Sequence, residues 1–482
     1  MGGRAILAAA ARQAKGLRAE YGLGLLLLLQ IALIVSHSPW RDELQAFLLV
    51  RDSPGIGGLF ANLHYEGHPG LWYLLLGVVE AVVRSPAALK LAQVVIALSV
   101  AALVWRRAPF APWVKLLILA GYFPLFEYGV IARSYGLGEL LLFAWLLLRR
   151  TPWGWLMLAL MANVAVNFAF LSGVLVLAGL WIERRWSWRG AALWALAGLF
   201  AVLTIIPAHD VSTGASALAQ PLWLRTLAAL RWESATLYPA LVGVWPYRWQ
   251  VLVSSPEAPL LAAVLGLAAG GMAIWATGRN RRASLLAFGL FLAMTALSAL
   301  VYPTYPRHVG VLVLLVIALE WMRVEDSAGP PSPAFLGWMG LSALCGLWAA
   351  GCALVVPFSY GRQEIDWIKA HHLENATWAA YPGYVGSDIS AFLDRPTYNL
   401  QKGCLDSFIR WDTHAYDDVD DDDMADAITQ PGPFAYLASD QDLGFLKAPM
   451  QLIAHFDRGL GDNGVFLYAV RRPSQGVAPA CR

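Results

Sequence analysis

Apolar runs long enough to cross a bilayer recur along most of this chain, and basic residues fall in every second connection between them. Crossing about 30 Å of hydrocarbon takes roughly 17–25 helical residues. Candidate runs occupy 20–38, 87–105, 112–131, 134–148, 152–168, 169–183, 190–207, 256–277, 283–301, 308–322 and 334–357. Backbone polar groups surrounded by lipid must be satisfied within the segment, which a helix achieves. The chain is only 14% charged, well under the roughly 25% of soluble domains, so lipid is the solvent for most of it. Many Trp residues lie near run ends, where aromatic belts form.

A further run, "GLWYLLLGVVEAVV" at 70–83, is short and contains Glu80. Loop charge decides its placement, because Lys and Arg favour the cytoplasmic side. If 70–83 lies on the outer surface, the clusters Arg4/Arg12/Lys15/Arg18, Arg106/Arg107, Arg149/Arg150, Arg184/Arg185, Arg279/Arg281/Arg282 and Arg323 all face the cytoplasm. If it crosses, most of them face outward. The expectation is therefore an all-α polytopic membrane protein of about eleven spans, N-terminus cytoplasmic, in a bacterial inner membrane. The basic N-terminus is charged like a signal peptide, but Ser36-His37-Ser38 is a poor cleavage site, so the first run is expected to be retained.

Residues 358–482 have the composition of a soluble domain. "ATWAAY", "SFIRWD", "FAYLAS", "QLIAHF" and "GVFLYAV" suggest short strands, and "VGSDISAFLD" and "DDMADAI" suggest helices. Two domains are expected: a membrane domain, 1–357, and a small extracytoplasmic α/β domain, 358–482. The acidic run "YDDVDDDD" (416–423) suits a solvated loop entering a helix; it lacks the glycine and closing glutamate of an EF-hand. Cys404 and Cys481 both fall in the outward tail, where a disulfide between them is expected. Cys345 and Cys352 lie two turns apart on one helix, roughly 10 Å along its axis, too far to bond. Net charge is +2, and nothing suggests a nucleic-acid partner.

This topology gathers polar residues on one face. Asp42 and Glu43 follow the first span; a helix starting at Ser38-Pro39 would place them near its positive dipole end. "HYEGHPGLWY" (64–73) supplies His64, Glu66 and His68 before a helix N-terminus that can face an anion. His64, Glu66 and His68 have metal-ligating chemistry too, without a geometry to support it. Arg84, Arg133 with Tyr135, and Arg307 with His308 lie at outer helix ends. A lone Arg there is ordinarily a snorkelling anchor. Three on the face that the positive-inside bias disfavours point to an anionic ligand. A carboxylate pair beside several cations has the form of a general base with a cradle for a phosphate leaving group. At a membrane that phosphate belongs on a lipid.

The segments "WRDELQAF", "YEGHPGLWY", "VVRSPAAL" and "ARSYGLGELLL" resemble the GT-C superfamily of polyprenyl-phosphate-sugar-dependent glycosyltransferases, in the branch of protein O-mannosyltransferases and lipid A aminoarabinose transferases. The resemblance covers roughly residues 20–320. It implies that Asp42 is the catalytic base, that Glu43 supports it, and that His68 and the helix-end arginines bind the lipid phosphate. The implied partners are a polyprenyl-phosphate sugar donor, an extracytoplasmic acceptor (glycan, lipid or protein) and membrane lipid. Gly70 stands where the family has a second proline, which predicts a looser helix start. The family runs with and without a divalent metal, and the cofactor stays open. A lipid-linked glycan ligase or polymerase shares the topology and donor type. A flippase-type transporter would need polar groups on both faces or at mid-membrane in broken helices.

Overall fold

The computed structural model describes residues 2–211, 219–237, 259–327, 329–415, 419–430, 432–461, 463–471, 476 and 478–481. The remainder of the loop expected at 208–255 and of the acidic run 416–423 lies outside the described residues. The chain divides into two compact units, one of Met1–Ser36, Gln93–Ala201 and Gly214–Leu354, the other of His37–Ala92, Val202–Thr213 and Val355–Arg482. The segment after the first apolar run thus groups with the C-terminal tail.

The first unit is helical. Among the described residues, five helices are long and apolar enough to cross a membrane: Arg18–Ser36, Ala87–Arg107, Trp188–Ile205, Arg281–Leu300 and Pro333–Val355. Their outward faces are rich in large exposed apolar side chains, such as Leu25, Leu28, Leu196, Phe200 and Leu344, a surface that suits lipid. The helix Val311–Ser327 is different. Every residue from Val311 to Met322 is buried, as expected of a stretch apolar on all sides apart from Glu320, which pairs with Arg323 at 2.8 Å. Phe110 and Phe143 pack on its Trp321 at 6.2 and 6.0 Å.

Two expected spans are not single helices. The run 112–131 divides into the helix Pro112–Leu119 and a π-helical turn, Tyr122–Glu127. Pro124 lies inside the break, where it has no N–H to give. Side chains from three other helices satisfy the freed groups. Gln30 Nε2 donates to the carbonyls of Pro124 and Leu125 at 2.9 and 3.3 Å. Gln93 Nε2 donates to the Tyr128 carbonyl at 2.6 Å. The Tyr122 amide donates to Ser342 Oγ at 3.1 Å. Irregular backbone is tolerated at membrane depth when protein supplies such partners. The runs 152–168 and 169–183 are redivided as Trp153–Met161 and Val166–Trp181. Asn163 sits in the break and donates to the carbonyls of Ala159 and Ala197, both at 3.0 Å. The basic pair Arg149/Arg150 is ion-paired: Arg149 with Glu183 at 2.8 Å, and Arg150 with Asp326.

The second unit is built on a six-stranded sheet, in the order β3-β2-β1-β4-β6-β5. The strands are β1 (Trp378–Tyr381), β2 (Thr397–Asn399), β3 (Cys404–Asp406), β4 (Tyr436–Ser439), β5 (Met450–Phe456) and β6 (Val465–Val470). β1 runs parallel to β2 and β4, and the other pairings are antiparallel. Successive side chains of a strand point to opposite faces, so both faces of β1 are packed. Trp378 joins Ile365, Ile368 and Ile389 on one side. Ala379 and Tyr381 join Met424 and Ile428 on the other. The helices Gly361–Ala370 and Ser387–Leu393 therefore cover one face, and Asp421–Thr429 covers the other. "SFIRWD" is not one of the strands; it contributes only an isolated bridge, Val211 to Asp412. Cys404 is bonded to Cys481 with 5.1 Å between Cα atoms, while Cys345 and Cys352 are buried and form no disulfide.

Hydrogen bonds tie residues 41–66 to the tail. Gln45 donates to the Ile409 carbonyl at 2.7 Å and accepts from its amide at 2.9 Å. Arg51 pairs with Asp394 at 3.1 Å and donates to the Ser390 carbonyl. Arg410 donates to Asn62 at 3.2 Å.

Candidate functional site

The helix Arg41–Asp52 begins one residue after the extended Trp40 (φ −102°, ψ 173°), slightly later than Ser38-Pro39 suggests. Its first turn separates the two acids. Glu43 is fully buried, accepting from the Trp40 amide at 3.1 Å and bonding His37 Nε2 at 2.7 Å. Asp42 is 24% exposed, with its carboxylate 3.8 Å from Arg41 Nε. Both sit where unpaired helix N–H groups favour negative charge. One acid is thus fastened into the scaffold and its neighbour is partly exposed. His37 and Trp40 escape sequence reasoning because neither belongs to a periodic pattern.

The 64–68 segment holds its polar groups individually. His64 Nδ1 donates to the Ile206 carbonyl at 2.7 Å, and His68 Nδ1 to the Glu66 carbonyl at 2.8 Å. Glu66 accepts from Gln45 at 2.7 Å. Among the described residues, no three His, Cys, Asp or Glu side chains gather as a metal site. Gly70 precedes the helix Leu71–Val83 in an ordinary conformation (φ −74°). A Cβ there would come within 2.8 Å of the Phe60 ring, so close packing, not a loosened helix start, accounts for the glycine. Arg84 caps the far end of that helix in the left-handed region (φ 40°) and is exposed. Tyr65 donates to Asp210 at 2.9 Å; burial and that carboxylate raise the phenol pKa, and the phenol's hydrogen bond lowers that of Asp210.

In the first unit the structure brings Arg133, Tyr135, Arg307 and His308 together, residues that sequence places in two distant motifs. Tyr128 joins them. Its ring stacks on Tyr135 at 5.6 Å, and its hydroxyl donates to the Arg307 carbonyl at 2.7 Å. Tyr135 meets the His308 ring edge-on at 5.8 Å. Arg133 lies 5.7 Å from the Tyr135 ring and Arg307 4.9 Å from the Tyr305 ring, within cation–π range. His308 is buried, and its Nδ1 accepts from the Tyr305 amide at 2.8 Å. That nitrogen fixes the turn Tyr305–Val309, and Pro306 supplies the preset φ of a helix start. Asn167 donates to the His308 carbonyl at 3.2 Å, and Trp232 packs on Tyr305 at 5.3 Å. The sequence carried no signal for Tyr128, Asn167 or Trp232, because their role depends on which loops meet.

In the second unit, the guanidinium of Arg41 lies 4.5 Å over the ring of Tyr384, which donates to Asp440 at 2.8 Å. Burial and the Asp440 charge push the Tyr384 phenol well up. The tail therefore places side chains beside the helix that carries Asp42. No family model, curated protein or solved structure matches this chain.

Proposed function

We propose that this protein is a membrane glycosyltransferase of the GT-C kind, transferring a sugar from a polyprenyl-phosphate donor to an extracytoplasmic acceptor. The observation that carries the reading is the division of labour at the start of the helix Arg41–Asp52. Glu43 is locked by His37 and Trp40, while Asp42 keeps a partly exposed carboxylate. In this reading Asp42 takes the proton of an acceptor hydroxyl. The hydroxyl oxygen bonds to the anomeric carbon as the bond from that carbon to the phosphate oxygen breaks. The phosphate departs on its lipid, and we assign its growing charge to Arg307, Arg133 and His68, with Arg84 as a further cation and His308 as a neutral Nε2–H donor. Arg presents a planar fork to phosphate that Lys cannot copy. The membrane topology belongs to the same proposal: about eleven crossings, some through broken helices, with the N-terminus cytoplasmic and the tail outside. A disulfide in the tail supports that side, because such bonds persist in oxidising compartments.

The test is turnover of the full chain in liposomes with synthetic polyprenyl-phosphate pentoses and hexoses, read as released polyprenyl phosphate. Asp42→Asn should slow release about 100- to 10,000-fold, the range of a general base, with no change in thermal midpoint. Glu43→Ala should lower the midpoint, since removing one partner of a buried pair costs on the order of 3 kcal/mol. Arg307→Ala should lose about 100- to 1,000-fold, and Arg307→Lys should recover only part. Normal release by Asp42→Asn would remove it from the mechanism.

A further inference from the structure

The sheet of the second unit has a topological switch point. From β1 the chain moves outward to β2 and β3, then returns across the sheet to β4 on the other flank of β1. The loops leaving the parallel neighbours β1 and β4 therefore depart in opposite directions, and a crevice is expected at their carboxyl ends, where open α/β sheets bind ligands. Tyr384 lies in the loop after β1 and Asp440 directly after β4. Tyr384 Oη and Asn463 Nδ2 both donate to Asp440 Oδ2, at 2.8 and 3.2 Å. After β2, Gln401 accepts from the Gly383 amide at 3.0 Å. The second carboxylate oxygen, Asp440 Oδ1, is shielded from solvent and has no hydrogen-bond partner among the described residues. An acceptor in that state costs about 1–3 kcal/mol unless a donor reaches it. Arg41, its guanidinium over the Tyr384 ring and its side chain 37% exposed, is a wall of the crevice.

We propose that this crevice binds the acceptor, and that the bound part is a neutral polyhydroxyl group, a sugar unit of a glycan. The charges select the class. Asp440 repels an anion, and the guanidinium of Arg41 repels a cation. A sugar hydroxyl donates to Asp440 Oδ1 and can accept from Asn463 or Arg41. The assignment rests on the transferase reading for the word acceptor, and gives it a place: the helix bearing Asp42 begins with the Arg41 that lines the crevice. Asp440, Tyr384 and Asn463 are recognition residues and take no part in proton transfer.

The experiment uses the full chain in nanodiscs and a panel of methyl hexopyranosides, methyl pentofuranosides and short oligosaccharides, with binding read by saturation-transfer NMR. At least one sugar should bind saturably. Asp440→Asn preserves an oxygen for Tyr384 and Asn463 but turns an amide donor toward the ligand. It should weaken binding about tenfold or more. Tyr384→Phe, which deletes one hydroxyl, should weaken it less, and it decides the matter if Asp440→Asn does not fold. In transfer assays Asp440→Asn should raise the acceptor KM with a much smaller change in kcat. No binding by any sugar of the panel, or unchanged binding in the folded variants, would overturn the proposal. A wild-type protein that binds sugar but never releases polyprenyl phosphate would sink the transferase reading and leave the sugar site standing.

Discussion

Adjacent carboxylates can have opposite fates within one helical turn. At the third helical position, Glu43 can reach back to the Trp40 amide and meet His37, and is buried. At the second position Asp42 points away and stays partly in water. Asp406 shows what burial does without such a partner set. Burial raises its pKa to about 7 from 3.8, outweighing the hydrogen bond from Asn399 and the attraction of Lys402. The folded chain thus holds a proton that the unfolded chain loses. This stabilising contribution is complete below about pH 4 and fades as pH rises toward 7. The thermal midpoint of the wild type should fall, relative to Asp406→Asn, between those pH values and then level off. Parallel pH profiles for the two proteins would refute the assignment.

Elements in the helical unit depend on side chains donated by their neighbours. Gln30→Leu removes the donor shared by the Pro124 and Leu125 carbonyls and preserves apolar volume. Each buried carbonyl left unpaired costs about 1–3 kcal/mol, so the variant should melt lower in detergent. An unchanged midpoint would mean that another donor serves the break. Such breaks mark the limit of what pattern reveals. Helices such as Ala87–Arg107 and Pro333–Val355 were legible because composition and length suffice to define them. Pro124 signalled a weak point in 112–131, but not the partners that rescue it. In the tail, β4, β5 and β6 show in their apolar and β-branched runs. β2 and β3 do not, being three residues each, with β2 dependent on pairing with β1 and β3 on pairing with β2. Of the site, Asp42, Glu43, Arg133 and Arg307 were visible as charges out of place at helix ends. Tyr128, Tyr384 and Asp440 were not, since contacts between distant segments define them.

At the scale of the molecule, sidedness and covalent structure are checked together. A reporter fused after Arg107 should be cytoplasmic, and one after Arg482 extracytoplasmic. In the same membranes, alkylation of the denatured, non-reduced protein should modify two cysteines, Cys345 and Cys352. An outward reporter at Arg107 would mean that 70–83 crosses; four modified cysteines would mean that Cys404 and Cys481 are not bonded.

Gln45 finds its partner Ile409 across 364 positions of chain, and this imposes a timetable on synthesis. A ribosome adding about 5–20 residues per second takes roughly 20–70 s to cover that interval. Throughout it, the short helices after the first apolar run exist without the sheet they dock on. The nascent chain must be sheltered from aggregation and proteolysis for this period. A premature stop late in the gene would leave Asp42 encoded yet strand its helix without support, so C-terminal truncations should be lost from the membrane as fully as substitutions at that helix.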